Sequence, residues 1–205
     1  YDPISSWNAD LHGTMTMNPG QGYSIRAPQN YSITERSVFE GIFKGVPNNG
    51  KINVDLPFAN KSYLIGNPYP SAIDADIFIE TNMPTINSVL CFWTHNTPPL
   101  NGYYSKNDFA VYNLLGGVGT SSALSSGVST STPDGTIASG QAFFLRTNLA
   151  GTLEFNNSMR ILGSNSSFFK PYKDEQVTKS KPEKHRFWLN LKSQGEEVFK
   201  QILLG

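Results

Sequence analysis

The sequence predicts a predominantly antiparallel β fold, a sandwich or jelly-roll-like body carrying one short helix. Three observations lead there. Charged residues make up 16% of the chain, below the roughly 25% of average soluble domains, and Asn, Ser, Thr and Gly carry the polar load instead. Aromatic residues reach 12% beside 18 glycines, the profile of an extracellular β protein with many turns. Several stretches alternate apolar and polar residues with a period of two, the mark of half-buried strands.

The elements follow in order. Trp7 and Met15-Thr-Met17 suggest short strands, and Asn18-Pro19-Gly20 is a turn, since proline fixes its own φ and glycine accepts positive φ. Gly22 to Ala27 alternates and stops at Pro28, and Val38 to Lys44 alternates again. Val46-Pro-Asn-Asn-Gly50 is a strong turn signal. Lys51-Ile-Asn-Val-Asp-Leu56 places Ile52, Val54 and Leu56 inward. Ser88 to Thr94 is almost continuously apolar, which predicts a central strand. Phe109 to Tyr112 is a further strand, and Leu115 to Asp134 reads as a long surface loop. Gly140 to Thr147 and Gly151 to Phe155 are expected as the next strand pair. Turns at Asn156-Asn-Ser158 and Gly163-Ser-Asn165 flank Met159-Arg-Ile161. Arg186 to Leu191 and Val198 to Leu204 are two strands around Gln194-Gly195.

The chain is organised around Leu64-Ile-Gly-Asn-Pro-Tyr-Pro-Ser-Ala-Ile-Asp-Ala-Asp-Ile-Phe-Ile79. A buried strand ends at Ile65. Gly66 and Asn67 stop it, and Pro68 and Pro70 stiffen the corner and push Asn67 and Tyr69 towards extended conformations. Ser71 is the expected N-cap, with Asp74 as its capping-box partner. A helix over about 72–81 would then place Ile73, Ile77 and Phe78 on its inner face.

At 205 residues the chain can bury roughly 70% of its unfolded surface without a metal or disulfide. Acidic and basic residues balance at 16 each, which argues against general nucleic-acid or anionic-membrane binding. The lone Cys91 cannot form an intrachain disulfide, and its apolar neighbours mark it as a buried structural thiol. No stretch reaches the roughly 18 apolar residues of a membrane helix. Residues 1–168 form the expected main domain, 169–184 a Lys-, Glu- and Pro-rich linker, and 185–205 the start of a further β segment. Gly20-Gln-Gly-Tyr-Ser-Ile-Arg26 and Gly140-Gln-Ala-Phe-Phe-Leu-Arg146 match in step, an expected internal duplication. With the apolar end at Gly205, it predicts coverage that is partial at both ends. Unpaired strand edges are expected near the N-terminus or at 198–204.

Candidate chemistry is sparse. His95 lacks a partner histidine or carboxylate at metal-ligand spacing, and a hydrogen-bonded structural role is expected. Asp74 and Asp76 stand two apart, so on a helix they would not share a substrate, and favouring the helix dipole is their expected role. Calcium would find oxygen ligands there, but no calcium-loop pattern supports it. Ser71 and Ser139 lie outside a Gly-x-Ser-x-Gly elbow, and Gly116-Gly-Val-Gly119 lacks the spacing of a phosphate loop. Trp93 and Tyr112 are expected in the core. Tyr103 and Tyr104, with Asn101 and Asn107 beside them, are the candidate residues for stacking and bonding a sugar ring. No cofactor is expected.

Five motifs carry a resemblance: the corner itself, Phe92-Trp-Thr-His-Asn-Thr97, Asn107-Asp-Phe-Ala-Val-Tyr-Asn113, Ile137-Ala-Ser-Gly-Gln-Ala-Phe-Phe144 and Phe155-Asn-Asn-Ser-Met-Arg160. Together they resemble a recurrent region of large, adhesin-like surface proteins of Bacteroidota, found shortly before a type IX secretion sorting domain. The resemblance implies export, display or release at the cell surface, and for some members a link to gliding. It also implies the secretion machinery, including an outer-membrane shuttle protein, and the remainder of the same large protein as partners. It supplies no catalytic residues. The expectation is therefore a non-enzymatic extracellular structural or adhesive module. Its structural residues are Gly66, Asn67, Pro68, Pro70, Ser71, Trp93 and His95. The alternative is a carbohydrate-binding, lectin-like module that takes surface glycans.

Overall fold

The computed structural model describes residues 16–24, 45–94, 108–118, 132–163, 187–192 and 199–204. The chain divides into two compact units, Tyr1–Pro171 and Tyr172–Gly205. In the first unit the elements run β1 (Ile52–Leu56), β2 (Ser62–Gly66), β3 (Ile73–Asp74), α1 (Ala75–Asn82), β4 (Leu90–Trp93), β5 (Phe109–Asn113), β6 (Gly116–Val118), β7 (Thr136–Ile137), β8 (Ala142–Arg146) and β9 (Gly151–Phe155), then a 3-10 turn at Asn157–Met159. The second unit holds β10 (Phe187–Lys192) and β11 (Phe199–Leu204), an antiparallel pair in which Leu189 lies opposite Ile202. The fold is predominantly antiparallel β with one short helix and, among the described residues, no closed barrel.

A five-stranded antiparallel sheet, β2-β8-β4-β5-β6, forms the larger layer. Its inner face presents Ile65, Phe143, Leu145, Leu90, Phe92 and Tyr112 to the core. A smaller sheet pairs β1 with β9, placing Ile52 opposite Phe155 and Leu56 opposite Gly151. Leu56, Leu153 and Phe155 are its fully buried contribution. Helix α1 joins the layers. The Phe78 ring stands edge-on to Phe143 at 5.3 Å and tilted against Phe155 at 5.1 Å, so one side chain touches both sheets. Edge-to-face geometry suits the aromatic quadrupole, and truncating such a ring in a packed core costs about 3–5 kcal/mol.

Several expectations hold. β1 alternates as read, β4 is the middle strand of five, and Tyr112 is buried. The two matching segments at Gly20 and Gly140 adopt the same turn. Gln21 N–H donates to Asn18 O at 3.2 Å and Gln141 N–H to Ala138 O at 3.1 Å. Gly20 and Gly140 sit at φ +81° and +73°, a region open to glycine. The turns flank β2: Gln21 bridges Ile65 on one side, and Ala142 opposes Gly66 on the other.

Other expectations are corrected. α1 begins at Ala75, not near 72, and Asp74 is its N-cap, because Ile73 and Asp74 are still extended and paired with Ile137 and Thr136. Ile73 is therefore a strand residue. Gly140–Thr147 and Gly151–Phe155 do not pair with each other: β8 pairs with β2 and β4, and β9 with β1. The link between them is tied down elsewhere. Thr147 Oγ1 donates to Phe58 O at 2.8 Å, and Asn148 Nδ2 to Ile86 O at 3.0 Å. Trp93 is 41% exposed rather than core, because Leu90 and Phe92 fix which face of β4 looks inward. The predicted loop after Leu115 contains β6, which extends the sheet. The turn at Asn156-Asn-Ser158 is a 3-10 turn capped by Asn156. Residues 25–44, with the expected strand Val38–Lys44, lie outside the described residues.

Candidate functional site

The densest polar constellation lies at the corner after β2. Asn67 is buried, and its Nδ2 donates to three carbonyls, Ser71 O (2.8 Å), Ala138 O (3.0 Å) and Ile137 O (3.1 Å). Its Oδ1 accepts the Tyr69 N–H at 3.0 Å, and its own N–H donates to Gln141 O. One asparagine thus ties the corner to the strand–turn segment Ile137–Gln141. An amide side chain suits this because it offers two donors and an acceptor at fixed angles. Buried carbonyls without such a donor would be costly.

Tyr69 fills the corner. Its ring is 1% exposed and stands edge-on to Phe155. Its Oη donates to Gly50 O at 2.6 Å, and Ser139 Oγ donates to its carbonyl at 2.9 Å. Burial pushes the Tyr69 hydroxyl up to about 12, with Arg160 pulling partly the other way and Glu154 adding to the rise. The Arg160 guanidinium lies 5.3 Å over the Tyr69 ring, a cation–π distance. Arg160 Nε donates to Ser71 Oγ at 2.8 Å and Nη1 to Asn49 Oδ1 at 3.1 Å. Burial lowers the pKa of Arg160 from its ordinary value. Asn48 Nδ2 donates to Pro68 O, and Gly50 N–H to Asn157 Oδ1 at 3.0 Å. The turn before β1, the corner and the 3-10 turn after β9 are therefore one polar knot.

A second cluster sits at the start of α1. Asp74 Oδ1 accepts from Asp76 N–H (2.8 Å) and Ile77 N–H (3.2 Å). Tyr112 Oη donates to Asp76 Oδ1 at 2.8 Å. Burial, then the bond to Asp76, pushes the Tyr112 hydroxyl up to about 12. At the far end of α1, Asn82 Nδ2 donates to Glu154 O while its Oδ1 accepts the Glu154 N–H at 2.7 Å. That side chain satisfies the outer edge of β9 as a strand neighbour would.

Each strongly bonded side chain is directed at the chain's own backbone or at another such side chain. Among the described residues no group of three His, Cys, Asp or Glu residues is placed to hold a metal ion. Gly66, Asn67, Pro68, Pro70 and Ser71 come together at the knot. Trp93 lies away from it, on the outer face of the five-stranded sheet. His95 and the sugar-stacking candidates Asn101, Tyr103, Tyr104 and Asn107 lie outside the described residues. Cys91 is half-buried, and burial pushes its thiol up, away from the reactive thiolate. Sequence reasoning missed Arg160 and the asparagines at 48, 49 and 157. The available signal was a single cation between apolar Met159 and Ile161, an unusual place for arginine unless its head is bonded.

The sequence matches, over residues 2–205, the family described as Domain of unknown function (DUF8693). Comparison with curated proteins and with solved structures gives no match. The chain belongs to the DUF8693 family.

Proposed function

We propose that this member of the family is a non-enzymatic structural or adhesive module of a larger secreted or cell-surface protein, exported by type IX secretion. The observation that carries the reading is the corner knot. Its asparagines, arginine and tyrosine hydroxyl bond the chain's own carbonyls and side chains across three segments distant in sequence. Such ties hold a shape, whereas a catalytic constellation aims a nucleophile, a base and an oxyanion donor at one external point. The motifs that resemble Bacteroidota surface proteins support export and surface display. The rest of the same large protein, the outer-membrane shuttle and the secretion machinery are the proposed partners.

The test has two arms. Deleting residues 1–205 from the parent protein in its host should abolish surface attachment while leaving the host's metabolic activities intact. Protease shaving of whole cells should release this segment. A parent found only inside the cell defeats the reading on location. Turnover of a substrate that vanishes when one polar side chain is changed defeats it on activity.

A second reading has one observation in its favour. Trp93, 41% exposed, pairs across strands with Phe109, whose ring stands edge-on to Phe144 at 5.6 Å. An aromatic group of that kind suits the apolar face of a sugar. Oligosaccharide titration of tryptophan fluorescence, repeated with Trp93→Phe, distinguishes this lectin-like reading: a saturable change lost in the variant supports it, and an unchanged spectrum removes it.

A further inference from the structure

We infer that Asn49-Gly50 is a hydrolytic modification site whose rate the folded corner suppresses. Asparagine followed by glycine is chemically labile, because glycine has no Cβ to hinder attack on the preceding side chain. In the reaction the Gly50 amide nitrogen loses its proton to water or hydroxide and bonds to Cγ of Asn49. The Cγ–Nδ2 bond breaks and Nδ2 departs as ammonia. The cyclic imide takes up one water and opens to an aspartyl or isoaspartyl residue. No oxidant or reductant is needed.

The corner controls each participant. Asn49 is exposed, so water reaches it. The attacking nitrogen is held: Gly50 N–H donates to Asn157 Oδ1 at 3.0 Å, a neutral acceptor too weakly basic to take the proton. The following peptide is held as well, with Tyr69 Oη donating to Gly50 O at 2.6 Å, and Gly50 stands at φ +79°. The Asn49 side-chain carbonyl is fixed by Arg160 Nη1 at 3.1 Å. That same bond draws electrons from Cγ. Protection therefore rests on geometry, and release of the Gly50 N–H exposes an activated amide. Ring closure must wait for local opening, and its rate scales with the opened fraction. The product places a carboxylate against Arg160, a charge-assisted pair.

Prolonged incubation at mildly alkaline pH, followed by peptide mass mapping, tests it on the full chain. In folded protein, conversion at Asn49 should be at least about tenfold slower than in urea. Asn101-Gly102 in the same urea sample is the chemical reference for an unrestrained Asn-Gly pair. Asn157→Ala should speed conversion at Asn49 by about three- to tenfold, the range for loss of one hydrogen bond, with the β9 amides exchanging no faster. Conversion at the urea rate in the folded protein overturns the inference, as does an Asn157→Ala rate equal to wild type. The comparison of folded protein with urea decides the matter even if the variant does not fold.

Discussion

Asn67 shows what one side chain contributes. Its Nδ2 donates to three backbone carbonyls inside the protein; Ala138 O keeps the Gln141 N–H, so the loss falls on the Ser71 and Ile137 acceptors in a medium without water. Asn67→Ala should lower unfolding stability by about 3 kcal/mol, since each stranded buried acceptor costs roughly 1–3 kcal/mol. Urea denaturation measures this, and a change within about 0.5 kcal/mol, usual for surface substitutions, would contradict the role assigned to it. The position was legible in sequence as part of a proline-stiffened corner. Its partners were not, because Ile137 and Ala138 are seventy positions away and nothing local announces them. Arg160 escaped for a related reason. Its Ser71 and Asn49 partners are polar and neutral, so no opposite charge in the sequence pointed to it.

Helix α1 was legible as a helix and misplaced at its start. Ser71 and Asp74 are both sound capping residues, and the choice between them is made by β7, which holds Ile73 and Asp74 extended. The two substitutions should therefore separate. Asp74→Ala should cost about 1 kcal/mol, as for lost N-caps generally, and accelerate hydrogen exchange at Asp76 and Ile77 N–H. Ser71→Ala should leave those two amides as slow as in wild type while destabilising through Arg160. If Ser71→Ala also frees them, the assignment of the cap fails. The strands β8 and β9 teach a similar lesson. Three residues between the two expected strands suggest a neighbouring pair, yet Thr147 and Asn148 direct their side chains at Phe58 and Ile86, and the two strands enter different sheets. Period-two alternation identifies a strand but not its neighbour.

For the molecule as a whole, Tyr69 and Tyr112 set an alkaline limit. Both hydroxyls are pushed up to about 12, chiefly by burial, whereas tyrosine in an unfolded chain ionises near 10. Above about pH 10 the unfolded chain releases protons that the folded chain retains, so the folded form binds more of them. Their contribution is complete below about pH 10 and is lost as pH rises towards about 12. Urea midpoints should fall over that window, and less steeply in Tyr69→Phe. A wild-type midpoint that stays level across it would refute the claim. The architecture was legible at this scale because composition and alternation both report it. The pairing of sheets was not, since it depends on contacts between the two ends of the first unit.

The pairing of β1 with β9 carries a consequence in time. Ile52 meets Phe155 only after about a hundred further residues have been made, and contacts of such span are slow to form. A ribosome-bound chain holding β1, β2 and α1 still lacks the strands that complete both layers. The two layers therefore stay incomplete until synthesis has passed Phe155, and the first unit folds only after its last strand has been made.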